Sequence, residues 1–431
     1  MKKRLSGILL LILIIGITLE FSPYLMAPVL LDHAFSRKEY RQQLKSEWQS
    51  LQAEQSDNKN EDQYRKGLHV IHPYLGFVHR PGNAYNELGF LGPNPMESAS
   101  EDVLNVCLTG GSVAKLVFEL KGEYLSEKLQ QLASANNKII RLYSLALGGF
   151  KQPQQLIAIN YLLSLNAHFD MVINLDGFNE VVLPYSDNMQ AKIHPSFPRN
   201  WNIISRKSLD FEQQILLAEQ AMAREEKKEV LSAFISSPLK YSNLALLFWK
   251  VIDNNKNKQI ISADEKLRKA LRDKNTDYQL TGPDFPYADT NEYFENEVSI
   301  WGNASRQLNK LSQAKEFDYF HFLQPNQYVP GSKKLTRREL EIAYIKGPSK
   351  YKDGVQKGYP VLRKMGTELI REGIPFADLS MMFKNTEASV YNDQCCHFNE
   401  YGYEMIIDTM VSYIESYYLS RKIKDEKNEM L

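Results

Sequence analysis

The first candidate for chemistry is a serine that follows two glycines at the end of an apolar run. Ser112 closes the stretch Leu-Thr-Gly-Gly-Ser at positions 108–112. The turn after a strand of an α/β sheet presents functional groups at the carboxyl edge. Glycines let such a turn be tight, and the N–H groups of a helix that starts there can bind negative charge. Ser112 is therefore the candidate nucleophile, although Gly-Gly-Ser also occurs in turns without a chemical role.

The second candidate is a histidine near the C-terminus with an acid close before it. His397 lies four residues after Asp393 and shortly before a predicted helix. An aspartate that orients an imidazole, which in turn deprotonates a serine, is the arrangement of a catalytic triad. Residues four apart share one face of a helical turn, so a helical turn at 391–397 would let Asp393 reach His397. If this loop is extended instead, we expect a weaker dyad of Ser112 and His397.

Two further turns could supply donors to an oxyanion. Gly149, or its neighbour Gly148, follows the second predicted strand, where a glycine can aim a backbone N–H into a cleft. Asn179 follows the third predicted strand, and its side-chain amide can serve the same purpose. Carboxylates stand on both sides of Asn179, at positions 176 and 180, but a hard cation usually takes more oxygen ligands. We therefore predict no metal site.

Apolar runs that alternate with helical patterns indicate the elements that must position these residues. Such alternation is typical of an α/β fold with a parallel sheet and helices on both faces. Each candidate turn follows one of the predicted strands. The predicted strands are Val103–Leu108, Lys138–Leu145, Phe169–Leu175, Tyr319–Leu323 and Pro375–Leu379, and the predicted helices include Tyr124–Ala135, Gln154–Leu165, Phe211–Phe234, Tyr241–Ile252 and Tyr401–Tyr418.

Taken in chain order, Gly-Gly-Ser, Gly, Gly-x-Asn and Asp…His resemble the four blocks of the SGNH (GDSL-type) hydrolases. The resemblance covers about residues 101–420, with one interruption. It implies a three-layer sandwich with a flavodoxin-like parallel sheet, and a site that needs no cofactor. By this resemblance Ser112 is the nucleophile and His397 the base, while the backbone of Ser112, Gly149 and the side chain of Asn179 form the oxyanion hole. Members of this family are esterases, lipases, thioesterases, sugar deacetylases and acyltransferases.

Three positions depart from the family pattern. Gly111 stands where an aspartate usually precedes the nucleophile, and Glu180 stands where an aspartate often follows the asparagine. The family acid usually lies three residues before the histidine, where this chain has Gln394. Asp393, four residues before His397, is therefore the candidate acid.

Composition excludes several other classes of protein. Lysine plus arginine equals aspartate plus glutamate at 52 each, so no charge excess favours a nucleic-acid partner. The three cysteines, Cys107, Cys395 and Cys396, are too few and too scattered for a disulfide framework or a four-ligand zinc site. A bond between neighbouring cysteines is strained, which favours free thiols or one bond to a distant partner. A thiol nucleophile would make Ser112 redundant.

The N-terminus carries a basic cluster followed by a long apolar segment. Lys2, Lys3 and Arg4 precede the 27 residues from Leu5 to Leu31, enough to cross a hydrocarbon core about 30 Å thick. We predict an uncleaved, single-pass signal anchor in the inner or plasma membrane, with the catalytic body periplasmic or extracellular. A cleaved signal peptide and a buried helix remain the alternatives.

The expected organisation follows from these features. It comprises a signal anchor (1–33), a charged solvated stalk (34–70), a small β-rich segment (71–100), the first half of the catalytic domain (101–184), a helical insertion that forms a lid (185–300), the second half (301–420) and a charged tail (421–431).

The expected activity is cleavage of an ester, and the expected substrate is an O-acyl group on a cell-surface glycan or lipid. The same residues would serve an O-acyltransferase, and a catalytically inactive glycan-binding or assembly protein with this fold is the alternative from a different class. The acyl group, the acceptor and the oligomeric state are left open by the sequence.

Overall fold

The structure is a computed structural model that describes residues 2–49, 69–82, 84–96, 100, 102–132, 138–189, 191–204, 211–273 and 277–429. The chain divides into two compact units. The smaller unit contains residues 1–66 and 206–277, and the larger contains 67–205 and 278–431. The insertion expected at 185–300 is therefore shared between the two units. Most of the second half of the expected stalk lies outside the described residues.

The chain forms seven strands and thirteen helices among the residues that the structure describes. The strands are β1 (His69–His72), β2 (Gly76–His79), β3 (Val103–Gly110), β4 (Ile139–Ser144), β5 (Met171–Asp176), β6 (Asp318–Leu323) and β7 (Phe376–Asp378). The helices are α1 (Lys2–Leu31), α2 (residues 37–49), α3 (Ser112–Gln130), α4 (Gln154–Ser164), α5 (Phe178–Leu183), α6 (Trp201–Ile204), α7 (Phe211–Ser236), α8 (Asn243–Asp273), α9 (Asp277–Thr281), α10 (Thr290–Lys315), α11 (Arg337–Ile342), α12 (Lys350–Arg371) and α13 (Glu400–Glu429). A π-helical turn follows α5 at Pro184–Asn188, and a 3₁₀ turn joins α7 to α8 at Pro238–Tyr241.

A five-stranded parallel sheet is the centre of the larger unit, with the strand order β4-β3-β5-β6-β7. All six residues of β5 are buried, as expected for a central strand covered on both faces. All five predicted strands are observed, with ends that differ by at most two residues. The predicted α/β class with a parallel sheet is therefore confirmed.

The helices of the larger unit form two groups. Helix α3 packs against α13, whereas α10 packs against α12 and α4. Crossovers between parallel strands are right-handed. The step from β3 to β4 goes towards one edge of the sheet, whereas the steps from β5 to β6 and β7 go towards the opposite edge. The two groups of helices therefore cover opposite faces of the sheet.

The predicted small β-rich segment begins with an antiparallel hairpin. Strands β1 and β2 pair from His69 with His79 to His72 with Gly76. The ring of Phe77 meets that of Phe150 edge to face, with centroids 5.4 Å apart. Phe150 lies in the turn after β4, so the hairpin packs directly on one of the candidate turns.

The smaller unit contains α1, α2, α7 and α8. Residues Ile14–Leu31 of α1 form a helix that is long and apolar enough to cross a membrane by length and composition. Phe35 and Tyr40, which belong to the expected solvated stalk, are buried in a cluster with Ala27, Leu246 and Trp249. The solvated stalk is therefore wrong for residues 34–49. The apolar positions 40, 44 and 48 recur every four residues on one face of α2, and the many charges between them hid this pattern.

Candidate active site

Two glycines shape the turn that carries Ser112. Gly110 ends β3 with φ +145°, and a Cβ there would lie 2.1 Å from the carbonyl oxygen of Leu175. A Cβ on Gly111 would lie 2.1 Å from Nδ2 of Asn179. Gly111 therefore leaves space for the Asn179 amide beside the turn, and Ser112 begins helix α3 directly after it. A side chain at position 111, such as the aspartate of the SGNH pattern, would collide with the Asn179 amide in this chain.

Ser112, His397 and Asp393 form a continuous chain of hydrogen bonds. Oγ of Ser112 lies 2.8 Å from Nε2 of His397, although 285 residues separate them. Nδ1 of His397 lies 2.5 Å from Oδ2 of Asp393. Because the carboxylate can only accept at Nδ1, that nitrogen carries the proton, and Nε2 is left to accept from the serine hydroxyl. The structure thus brings together the three residues singled out in the sequence.

The loop around Asp393 has no helical residues, so the helical turn considered for residues 391–397 does not form, and Asp393 reaches His397 through a different turn. Residues 391 and 398 pair in an isolated antiparallel bridge. Between them, Oδ1 of Asp393 accepts hydrogen bonds from the backbone N–H groups of Cys395, Cys396 and His397, at 2.8, 3.0 and 3.2 Å. One carboxylate oxygen therefore folds the loop, and the other holds the imidazole. Gln394, at the family's usual acid position, is exposed.

The charge on Asp393 is strongly favoured by these contacts. Burial by itself would raise the pKa of this carboxyl group. The hydrogen bond from His397 and the charge that its ring carries when protonated, together with the N–H groups of Cys395 and His397, outweigh burial and lower the pKa of Asp393 to about 2. Asp393 is therefore ionised throughout the range in which a histidine base works.

Sequence reasoning missed the residues that hold this loop in place. Three side chains from the turn after β6 donate to the carbonyl oxygens of three consecutive loop residues. These bonds join Gln327 to Asp393 (2.9 Å), Tyr328 to Gln394 (2.8 Å) and Asn326 to Cys395 (3.0 Å). The only sequence signal is the run of amide and hydroxyl side chains after a predicted strand. The sequence favours an ordinary proline turn at the end of a strand for this run, with a wall of the substrate cleft as the alternative.

A buried ion pair supports the start of the same loop. The carboxylate of Glu339 accepts from the backbone N–H groups of Val390 and Tyr391, at 2.8 and 3.1 Å. Lys333 lies 3.3 Å from this carboxylate, and both side chains are fully buried. Despite the opposing effect of burial, the N–H donors and Lys333 lower the pKa of Glu339. The loop is thus held at its entry as well as along its length.

The two predicted oxyanion residues lie close to one another and to the serine turn. Nδ2 of Asn179 donates to the carbonyl oxygen of Phe150 at 2.7 Å, which links Asn179 to the turn that contains Gly149. Gly149 has φ +82°, and a Cβ there would lie 3.4 Å from Cδ of Arg199. Asn179 is almost fully buried, and its side-chain amide occupies the space that a Cβ on Gly111 would need. The turns after β3, β4 and β5 therefore meet around Ser112.

The acids on either side of Asn179 are occupied by N–H donors. Asp176 accepts from Trp301 Nε1 at 2.7 Å and from Asn174 Nδ2 at 2.8 Å, and it lies 2.9 Å from Nε2 of His321. Glu180 accepts from the backbone N–H of Gly177 at 2.7 Å. Donors crowd these oxygens, an arrangement opposite to the one that a hard cation requires.

The pKa of Glu180 is shifted in the opposite direction to that of Asp393. Burial, together with the negative charge of Asp176, raises the pKa of Glu180, and the N–H donors around it compensate only in part. Backbone N–H of Gln152 and the side chain of Gln155 also donate to its Oε1, at 3.1 and 3.2 Å. These bonds tie the segment that contains Asn179 to the start of α4.

The neighbouring cysteines lie against the base. Sγ of Cys395 and Sγ of Cys396 are 3.0 Å apart, and both cysteines are free thiols. Burial raises the pKa of the Cys396 thiol, which keeps it protonated and weakly nucleophilic. The donor atoms of Cys395, Cys396 and His397 lie within 4.8 Å of one another. Because both nitrogens of His397 already have partners, a metal ion at this place would have to displace Ser112 or Asp393.

Comparison of the chain with protein-family models and with curated proteins found no match.

Proposed function

We propose that this chain is a serine esterase of the SGNH type, anchored to a membrane, that cleaves an O-acyl group from a cell-surface glycan or lipid. The single observation that carries the proposal is the hydrogen-bond chain from Ser112 through His397 to Asp393. The strand order supports it as well. When the five strands of the sheet are counted alone, the order is 2-1-3-4-5, the flavodoxin-like arrangement, in which ligands bind at the switch point between the first and third strands.

The mechanism follows from the positions of the hydrogen atoms. As Oγ of Ser112 attacks the ester carbonyl, its proton passes to Nε2 of His397, and Asp393 stabilises the imidazolium. The carbonyl oxygen becomes an oxyanion, which the N–H of Ser112 at the start of α3, the N–H of Gly149 and the amide of Asn179 are proposed to bind. Collapse of this intermediate expels the alcohol, which takes the proton from His397. Water then attacks the acyl-serine with His397 as base again, releasing the carboxylic acid and free Ser112.

The geometry favours an enzyme over the inactive binding protein. An inactive relative has no reason to keep a serine within 2.8 Å of a histidine that an aspartate orients. A fluorophosphonate probe tests this directly because it forms a covalent bond only with an activated serine. We expect labelling of the full-length protein at Ser112 and none in Ser112→Ala.

A matched control lies on the same helix. Ser126 of α3 donates its hydroxyl to the carbonyl of Gly122, one helical turn back, and has no histidine partner. Ser126→Ala should therefore label like the parent protein. Equal labelling of the parent and Ser112→Ala would overturn the proposed nucleophile.

Hydrolysis and acyl transfer use the same first half-reaction, so they differ only in the acceptor. Incubation with p-nitrophenyl acetate, with and without a sugar acceptor, separates them. We expect acetate to be released in both cases. An acetylated sugar as the main product would make the enzyme a transferase without changing the roles of Ser112 and His397.

The location is also part of the proposal. Helix α1 is proposed as the membrane anchor, with the basic cluster at its start in the cytoplasm and the body outside. Its length and its apolar composition support this role. Protease added to intact spheroplasts should digest the body, and complete protection of the body would refute this topology.

A further inference from the structure

The apolar helix α1 contains one acid, and that acid has a specific partner in the smaller unit. The carboxylate of Glu20 accepts from the backbone N–H of Asn243 at 2.6 Å and also binds the hydroxyl of Ser242. Asn243 is the first residue of α8, so Glu20 caps the N-terminus of that helix. A carboxylate at this end of a helix satisfies unpaired N–H groups and interacts favourably with the helix dipole.

Helix α8 leaves this contact alongside α1 and in the same direction. Glu20 meets the start of α8, and Ala27, two turns further along α1, is buried in a cluster with Leu246, Leu247 and Trp249. Helix α7 packs along α8 and ends at Ser236, just before the connecting turn. The tip of the α7–α8 hairpin therefore lies at the level of Glu20.

The level of Glu20 corresponds to the outer part of the hydrocarbon core in a bilayer crossed by α1. From Leu5 to Glu20 the helix rises about 22 Å, and a hydrocarbon core is about 30 Å thick. Glu20 would then lie several ångströms below the outer boundary of the core. The cap on α8 satisfies its oxygens there without water.

The hairpin tip has the composition of a segment that contacts lipid. Residues 230–249 contain a single charged side chain, Lys240, and no acid. Leu239 and Tyr241 are about 60% and 67% exposed, and Phe248 is 48% exposed. An apolar tip with an exposed tyrosine and one lysine fits the boundary between lipid tails and headgroups.

Among the described residues, ion pairs between α7 and α8 begin only further from the tip. Lys227 pairs with Asp253 at 2.9 Å, and Lys256 pairs with Glu226. The turn itself is held by Arg41 of α2, which donates to the carbonyl oxygens of Lys240 and Tyr241 at 3.2 and 3.3 Å. The backbone that carries Leu239 and Tyr241 is thus held by Arg41, while their side chains stay exposed.

We propose that the tip of the α7–α8 hairpin, residues 230–249, is a second membrane contact that inserts into the outer lipid interface beside α1. This inference rests on the proposed role of α1 as a membrane anchor and is independent of the chemistry at Ser112. The exposed apolar side chains of the tip enter the boundary region, Lys240 extends toward lipid phosphates, and the polar part of the hairpin stays in water.

Tryptophan fluorescence of the full-length protein in phosphatidylcholine–phosphatidylglycerol vesicles tests this arrangement. Leu239→Trp and Tyr241→Trp each place a reporter at the tip, where both positions are exposed and tolerate the change. Emission is recorded as the increment over the parent protein, with and without lipids brominated on their acyl chains. We expect the increment from both tip reporters to be blue-shifted and to fall at least twofold with brominated lipid.

Two further tryptophan variants serve as controls for the tip reporters. Ile17→Trp reports on α1 itself, and Glu225→Trp reports on the polar part of α7, where the Glu225 side chain is 69% exposed. Quenching of Ile17→Trp with water-like, unquenched emission from both tip reporters would overturn the second contact while keeping the anchor. Absence of quenching at position 17 would overturn both. Equal quenching at position 225 would also overturn the proposal, because lipid contact would not be confined to the tip. Labelling of Ser112 by the fluorophosphonate probe reports separately on the proposed chemistry.

Discussion

Two loops of the larger unit hold carboxylates close to the candidate site, and they do so in different ways. The His397 loop (residues 391–398) carries the proposed base. The segment named here the Asn179 loop (residues 176–180) runs from the end of β5 into the start of α5 and carries a proposed oxyanion donor. In the His397 loop one carboxylate, Asp393, folds its own backbone and stays ionised at a lowered pKa. In the Asn179 loop the acids Asp176 and Glu180 are buried, and the pKa of Glu180 is raised.

The difference lies in where the hydrogen-bond donors come from. The donors to Asp393 are its own near neighbours in sequence, at positions 395–397, and the carboxylate remains partly exposed. Those of Asp176 include Trp301 and His321, which reach it from distant parts of the chain. Asp393, which is proposed to stabilise a charge that forms on His397, is thus held by neighbouring residues and lies near solvent. Asp176, which has no proposed part in the reaction, is held by side chains of the buried core.

The largest expected effect comes from removing the base. His397→Ala takes away the acceptor for the Ser112 proton, and we expect turnover of an activated ester to fall by about 10⁴-fold or more. Fluorophosphonate labelling should be lost with it. A variant that keeps more than a tenth of the parent turnover would mean that another group deprotonates Ser112, and the His397 loop would lose its proposed role.

The Asn179 loop should show a smaller effect. Asn179→Ala removes one proposed oxyanion donor, and loss of such a donor typically costs about 10²- to 10³-fold in turnover. Because the donor acts on charge that develops only in the transition state, kcat should fall while KM changes little. An equal loss in KM would instead indicate that Asn179 binds the substrate in its ground state.

Asp393→Asn should cost about 10- to 1,000-fold in turnover, or about 1.4–4 kcal/mol. An amide can keep Oδ1 as the acceptor of the loop N–H groups, but its Nδ2 would donate to Nδ1 of His397. The proton then moves to Nε2, which is the wrong tautomer for accepting from Ser112. At neutral pH the melting temperature should fall only by the small stabilisation that the partly exposed carboxylate contributes. Full activity would remove Asp393 from the triad.

A second substitution checks the position of the acid. Gln394→Asp, in the Asp393→Asn background, provides a carboxylate at the family's usual spacing. Because residue 394 is exposed, whereas Asp393 is the residue that contacts His397, we expect little recovery. Recovery to within threefold of the parent would show that the loop can reorganise around either position.

The smallest effect, and the sharpest comparison, is the pH dependence of stability. A lowered pKa for Asp393 stabilises the fold above about pH 4, and this contribution disappears as pH falls towards 2; partial exposure keeps it below about 2 kcal/mol. A raised pKa for Glu180 has the opposite sign, so its contribution is present below about pH 4.3 and is lost as pH rises through the raised value.

Thermal unfolding at a series of pH values separates the two loops. Asp393→Asn should flatten the melting-temperature profile only at acid pH, whereas Glu180→Gln should flatten it above about pH 5. An unchanged slope for Glu180→Gln in that upper range would contradict the buried, protonated state that distinguishes the Asn179 loop.

Local patterns in the sequence were sufficient for the sheet and for most of the site. Five apolar runs predicted five strands, because a strand buried on both faces needs only a short continuous apolar segment. Ser112, Gly149, Asn179 and His397 each follow one of these runs, and Asp393 reaches His397 across four residues.

Long-range contacts could not be predicted in this way. Gln327 and Tyr328 show no sign in the sequence that they bind carbonyl groups 66 residues away. The charges of residues 34–49 indicated a solvated stalk, yet Tyr40 is buried, because spacing every four residues mattered more than average polarity.

The sequence by itself determined the class of fold, the apolar α1 and the identity of the candidate site residues. All three depend on residue type and on spacing over a few positions. Only the tertiary structure decided that Gly111 leaves room for Asn179, that Glu20 caps α8, and that Oγ of Ser112 meets Nε2 of His397 at 2.8 Å. Each of these contacts joins segments between 68 and 285 residues apart, and such segments meet only when a packed core has set the position of every element between them.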